Sequence, residues 1–116
     1  ARRQRQMCIR DRLYKDGLIE AQSVPQLETF SAGMMFAKSE GIIPAPESTH
    51  AVAVAVREAL KAKEEGTPKT ILFNLSGHGL IDLYAYEQYF EHNLTDCNVP
   101  DSVIRKSLDS LEKIIH

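Results

Sequence analysis

Thiols are scarce in this 116-residue chain: Cys8 and Cys97 are the whole supply, and they stand 89 residues apart. Two cysteines so spaced build no disulfide framework, and no CxxC pair offers a zinc site. They read as reduced thiols of a cytoplasmic protein. His50 and His92 are 42 residues apart and lack metal-ligand spacing, so no metal is expected. Tryptophan is absent. No apolar run approaches the roughly 20 residues that cross a bilayer, and no apolar segment follows the arginine-rich start to make a secretory signal. Positive charge is scarce once the start is set aside. Residues 1–12 hold five of the fourteen basic residues and only one acid, Asp11, which leaves nine basic against fifteen acidic residues from Leu13 onward. A body of charge −6 is poorly suited to nucleic acid. Met7–Arg12, "MCIRDR", can be encoded by the transposon end used to prepare sequencing libraries, so residues 1–12 are expected to be a non-native tail and 13–116 the protein proper.

What remains alternates helical and extended signals. "LYKDGLIEA" is a short helix-and-loop stretch stopped by Gly17. In "VPQLETFSAGMMFAKSEG", Pro25 suits a helix start and Gly41 a stop, and Leu27, Phe30, Met34 and Ala37 keep a helical spacing, which predicts a helix over 26–39. Pro44 and Pro46 force an extended segment. "STHAVAVAVREALKAKEEG" is a helix capped by Ser48 or Thr49 and closed by Gly66, its first half buried and its second half in solvent. "KTILFNL" reads as a buried strand. A helix follows in "LIDLYAYEQYFEHNL", with Asp82 as its cap. A last amphipathic helix starts at Asp101 and places Ile104, Leu108, Leu111 and Ile115 on one stripe. The fold class is α/β: helices around one or two buried strands. A lone central strand needs partners for its backbone, so the pattern is that of the last portion of a larger α/β protein.

The chemistry concentrates at two places. Glu47 stands just before the long helix, and Ser76-Gly77-His78-Gly79 stands just after the apolar run. If the helix carries the chain back along a sheet and the strand carries it forward, both lie at the strands' carboxyl end, where open α/β sheets bind ligands. Simpler readings compete. Glu47 can be a dipole partner for the helix, and the glycines can serve a tight turn. The turn can also be an anion cradle made by consecutive free N–H groups. "SGHG" is not GxSxG, which excludes a nucleophile elbow. His78 is a candidate base with no orienting partner in the sequence.

"EGIIPAPESTHA" followed by "NLSGHGLIDL", with "PQLETFSAGMMFAKSEG" before them, resembles the C-terminal part of the tryptophan synthase β family, in its β-like branch. The resemblance runs from about Leu13 to His116, with its two motifs 29 residues apart. It implies a pyridoxal-phosphate lyase of fold type II that joins L-serine and indole into L-tryptophan, a cytoplasmic homodimer able to pair with an α subunit. It implies Glu47 beside the cofactor as a catalytic residue, Ser76 on the pyridine nitrogen, and Gly77 and His78 beside the ring. It also places the family's Schiff-base lysine and glycine-rich phosphate loop in a larger part not present here. Lys15, Lys38, Lys61, Lys63 and Lys69 stand in no matching context, so this chain alone is expected to be inactive. His78 stands where the usual branch carries arginine, which leaves amino-acid specificity and α-subunit coupling open. A threonine- or cysteine-synthase relative, and a small independent α/β binding domain, are the alternatives.

Overall fold

A computed structural model describes the backbone of residues 2–96 and 99–115 and the side chains of 8–96 and 99–110. Cys97 and the side chains of Leu111 and Ile115, all named above, lie outside the described residues. Among the described residues five helices follow one another: α1 (Arg2–Lys15), α2 (Gln26–Glu40), α3 (Thr49–Glu65), α4 (Leu83–Phe90) and α5 (Asp101–Ile115).

The two central helices form where the sequence predicts them. Alternating Ala and Val in the first half of α3 is compatible with a strand, but the unbroken run of helix formers that follows carries the helix through. Gly41 and Gly66 close α2 and α3 in the left-handed conformation. The gradient along α3 is also as expected. Val52 and Ala53 are buried, Glu58 is half-buried, and Ala59 and Leu60 are exposed, although Ala62 turns back inward. α2 packs on α3 through small residues. Ala32, Val52 and Ala53 form the centre, flanked by Val24, Phe36, Phe73 and Leu75. A methyl group on Gly33 would stand 2.6 Å from Thr49 Cγ2, so the helices approach to a distance that only glycine allows. Glu28 and Arg57 clamp the same pair at its rim, with Arg57 Nε donating to Glu28 Oε1 at 2.6 Å and Nη2 donating to Oε2. This charge-assisted bond holds the guanidinium pKa above its ordinary value.

The extended run is where the expectation fails. Among the described residues there is no β-strand, and 67–76 form no ladder. The alternation of a strand survives: Phe73 and Leu75 pack inward while Leu72 is 96% exposed. The run is therefore a half-covered edge and not a buried centre. The reason is the one the sequence raised: no described residue supplies a second strand to bond it.

α4 is shorter than the predicted 80–94: residues 80–82 belong to the turn before it, closed by Asp82 N–H on the Gly79 carbonyl, and beyond it the chain turns left-handed at His92, φ 58°. Asp82 occupies the N-cap position of α4, but its side chain makes no capping bond. α2 is capped from afar instead: Leu27 N–H donates to the Asp96 carboxylate at 2.9 Å. α1 and α5 pack against no other helix among the described residues. On α5, Ile104 and Leu108 are 45% and 54% exposed, so the described part of its apolar stripe is not covered by the core. The chain exposes 9795 Å², where a compact monomer of its 13.0 kDa exposes about 6,300 Å².

Candidate functional site

Two loops meet at the entrance of α3. Gly79 N–H donates to the Ile43 carbonyl at 2.9 Å, which lays the 76–79 turn along the proline-stiffened 43–46 segment. Gly77 has φ +69°, a left-handed value that suits glycine, and its backbone passes over Ala45. The sequence assigned Ser48 or Thr49 to cap α3. Thr49 instead bonds back to the Pro46 carbonyl. Ser48, 6% exposed, makes no cap bond and reaches 28 residues along the chain. Its hydroxyl donates to the Ser76 carbonyl at 2.5 Å, accepts the Ser76 N–H at 3.2 Å, and lies 3.3 Å from the Ser76 hydroxyl. Ser76, Gly77 and His78 are exposed and form one face of the turn, while Gly79 is buried beneath them.

The four predicted site residues are thus on adjoining loops, but their side chains divide. Glu47 is exposed and lines an open hollow of about 510 Å³ with Val24, Phe30, His50 and Asp82 among its walls. Ser76 does not line that hollow. His50 Nδ1 lies 3.2 Å from the Glu47 carbonyl. Among the described residues, no group of His, Cys, Asp and Glu is arranged to hold a metal. His78 folds onto its own turn: Leu80 N–H donates to its Nδ1 at 3.3 Å, which leaves Nε2 as the nitrogen not used by the turn. With the N–H groups of Ser76, Gly79 and Leu80 all committed within the chain, the run of free donors that an anion cradle needs is broken.

A buried phenol holds the first loop from behind. Tyr86, 4% exposed, donates its hydroxyl to the Pro44 carbonyl at 2.6 Å. Phe30 packs edge-on against the Tyr86 ring, with centroids 5.2 Å apart. The sequence named neither Ser48 as a clamp nor Tyr86 as a prop. A serine before a helix signals a cap, and a tyrosine in an aromatic-rich helix signals only packing; neither spacing carries the long-range partner.

Burial, aided by the Asp82 charge, raises the Tyr86 pKa above its ordinary 10.0. Below pH 10 the phenol is neutral in both folded and unfolded chains, and its contribution is fully present. Between the ordinary value and the raised folded value, the unfolded chain loses the proton first, so stability falls as pH rises through that window. Thermal melts from pH 8 to 11.5 are expected to show this fall in the wild type and a flatter profile in Tyr86→Phe. Equal slopes in the two would remove the phenol from the account.

Comparison with known proteins follows the same two loops. No family model matches the chain. It is 67% identical over 75 residues to "Tryptophan synthase beta chain 2" of Thermotoga maritima, covering 65% of this chain and 18% of that protein. It is 55% identical over 85 residues to the protein of the same name from Aquifex aeolicus, covering 73% and 20%. Against "Tryptophan synthase beta chain" of Pseudothermotoga lettingae the figure is 63% over 75 residues, or 65% and 18%. The chain spans about a fifth of the length of these relatives. An 85-residue match within 116 residues necessarily includes 32–85, and hence both loops.

Proposed function

The chain belongs to the tryptophan synthase β-chain family, and from that premise we propose that residues 13–116 work as one wall of a pyridoxal-phosphate site completed by the other four fifths found in its relatives. The reaction of the complete protein is the joining of L-serine and indole into L-tryptophan, in the cytoplasm, by a homodimer open to an α subunit. The observation that carries this reading is the locked meeting of the 43–48 and 76–79 loops, with Ser76 held at its backbone by Ser48 and exposed at the turn.

The residues present fit one edge of the cofactor. Pyridoxal phosphate, when bound, supplies an electron sink that lets the substituent on the serine β-carbon leave and another take its place. Ser76 would offer a neutral hydroxyl to the ring nitrogen, a partner that, unlike a carboxylate, would not hold a proton there. Gly77 keeps side-chain bulk off the exposed turn, so a flat ring can approach the backbone. Glu47, at the mouth of α3, holds or moves a proton at its carboxylate on the far side of the loop. His78, exposed on the same turn, accepts the Leu80 N–H at Nδ1 and so would carry its proton on Nε2. The half-covered run at 70–75 pairs with strands from the missing four fifths, which makes the α/β sheet of the whole. The exposed α5 stripe and the large excess of surface over a compact monomer support the same reading.

None of the lysines stands in either loop. The chain mixed with pyridoxal phosphate, serine and indole is therefore expected to give no tryptophan and no stoichiometric cofactor absorption band. The shared stretch, grafted in place of its counterpart in the Thermotoga maritima relative, is expected to bind the cofactor and turn over both substrates. Turnover by the isolated chain, or a folded graft that binds no cofactor, would overturn the reading.

A further inference from the structure

Ser48 has one proton and an unusual number of claims on it. The Ser76 carbonyl takes that proton at 2.5 Å, and the Ser76 N–H occupies a lone pair at 3.2 Å. The 3.3 Å contact between the two hydroxyls can then run in one direction only, from Ser76 to Ser48. It is long for an O–H···O bond, so it competes weakly with any better acceptor that reaches the Ser76 hydroxyl.

We infer that Ser48 is a positioning residue: it grips the Ser76 peptide on both sides, spends its own proton there, and so leaves the Ser76 hydroxyl proton for an outside acceptor such as an unprotonated aromatic nitrogen. This rests on the proposed cofactor site for its purpose, but the grip itself is a property of this chain. Three features fit the role. Ser48 is buried while Ser76 is exposed, so the holder is shielded and the held group is presented. Ser48 makes no cap bond on its own helix, so the helix gives it no other work. The Ala45 carbonyl holds it from its own loop: Ser48 N–H donates to that carbonyl at 2.9 Å, which fixes the holder in turn.

Amide hydrogen exchange on the 116-residue chain reads the grip without cofactor. Ser48→Ala is expected to speed exchange at Ser76 by about tenfold or more while the α2 and α3 amides hold their rates, since the Ser76 N–H loses its buried acceptor. Ser48→Thr keeps the hydroxyl and is expected to restore protection. Ser76→Ala removes only the weak hydroxyl contact and is expected to leave the residue-76 amide protected. In the Thermotoga graft loaded with pyridoxal phosphate, Ser48→Ala is expected to shift the cofactor's absorption and emission in the same direction as Ser76→Ala, and Ser48→Thr to shift them back. Unchanged Ser76 exchange in Ser48→Ala overturns the grip. Faster exchange with an unmoved cofactor spectrum in a cofactor-binding graft overturns its purpose. A wild-type graft that binds no cofactor fails the site reading, and the exchange rates still decide the grip.

Discussion

Gly79→Ala is expected to destabilise the chain by about 2–3 kcal/mol, at the upper end of what an overfilled position costs. A β-carbon at 79 would stand 2.6 Å from Pro44 O, 2.6 Å from Ile43 Cγ2 and 3.2 Å from Tyr86 Cε2. A flexible side chain can swing away, but Pro44 O is backbone and is held in place by the Tyr86 hydroxyl at 2.6 Å. The turn cannot retreat without giving up the Gly79 N–H bond to Ile43. Relief therefore requires the two loops to part, which also pulls Ser76 from Ser48. Gly77→Ala makes the useful contrast. Its β-carbon would meet only Ala45 Cβ at 3.4 Å, an ordinary contact, so its cost is the left-handed φ alone, about 1–2 kcal/mol. Thermal melts of the two variants are expected to fall by unequal amounts, with Gly79→Ala the lower and its Ser76 amide deprotected. A Gly79→Ala chain that melts with the wild type would mean the loops are not pressed together as described.

Much of this arrangement was legible in the residues, and its limits follow from range. α2, α3 and α5 are announced by local signals: Pro25, Gly41, Gly66, Asp101 and the spacing between them. Those signals act within a few residues, and so the helix positions were readable. The adjacency of the Glu47 and Ser76 loops was readable too, but not the shared cleft expected at a strand end: no strand forms among the described residues, and Ser76 does not line the hollow beside Glu47. Its details were not. Ser48 and Ser76 are 28 residues apart, Pro44 and Tyr86 are 42, and Leu27 and Asp96 are 69, and no periodicity encodes such pairs. The run at 70–75 failed for a different reason. Its composition is that of a central strand, with β-branched and apolar residues and no charge between Thr70 and Leu75, but burial of a strand is a property of its neighbours. In this chain Leu72 meets solvent because nothing described here lies beside it. Composition recorded the environment for which the segment is suited, while the structure records the one that this chain provides.

Phe30→Ala is expected to be the most damaging single truncation, at about 3–5 kcal/mol. Phe30 is 4% exposed, meets Tyr86 edge-on at 5.2 Å and stacks on Tyr89 at 5.6 Å. It is the largest side chain among the buried hydrophobics apart from Tyr86 itself, in a core otherwise made mostly of alanine and valine. A small core has little to collapse into the space, so the cavity term is not recovered. Folded domains hold about 5–15 kcal/mol in total, and a chain that leaves so much surface uncovered sits toward the lower limit. The loss therefore is expected to remove the cooperative melt and not merely to lower its midpoint. Its reach differs from that of Ser48→Ala. Without Phe30 the Tyr86 ring loses its support, the Pro44 carbonyl loses the phenol, and both loops loosen together with α2 and α4. Without the Ser48 hydroxyl only the Ser76 peptide is freed. Circular dichroism melts with residue-level hydrogen exchange separate the two: a broad loss of protection through α2, α4 and residues 43–48 for Phe30→Ala, and a local one for Ser48→Ala. Phe36→Ala serves as the control, since Phe36 is only partly buried and meets Phe73 at 6.1 Å on the other side of the core. A Phe30→Ala chain that keeps a sharp transition, or loses no more than the Phe36 variant, would show that the aromatic stack behind Tyr86 is not what holds the two loops in place.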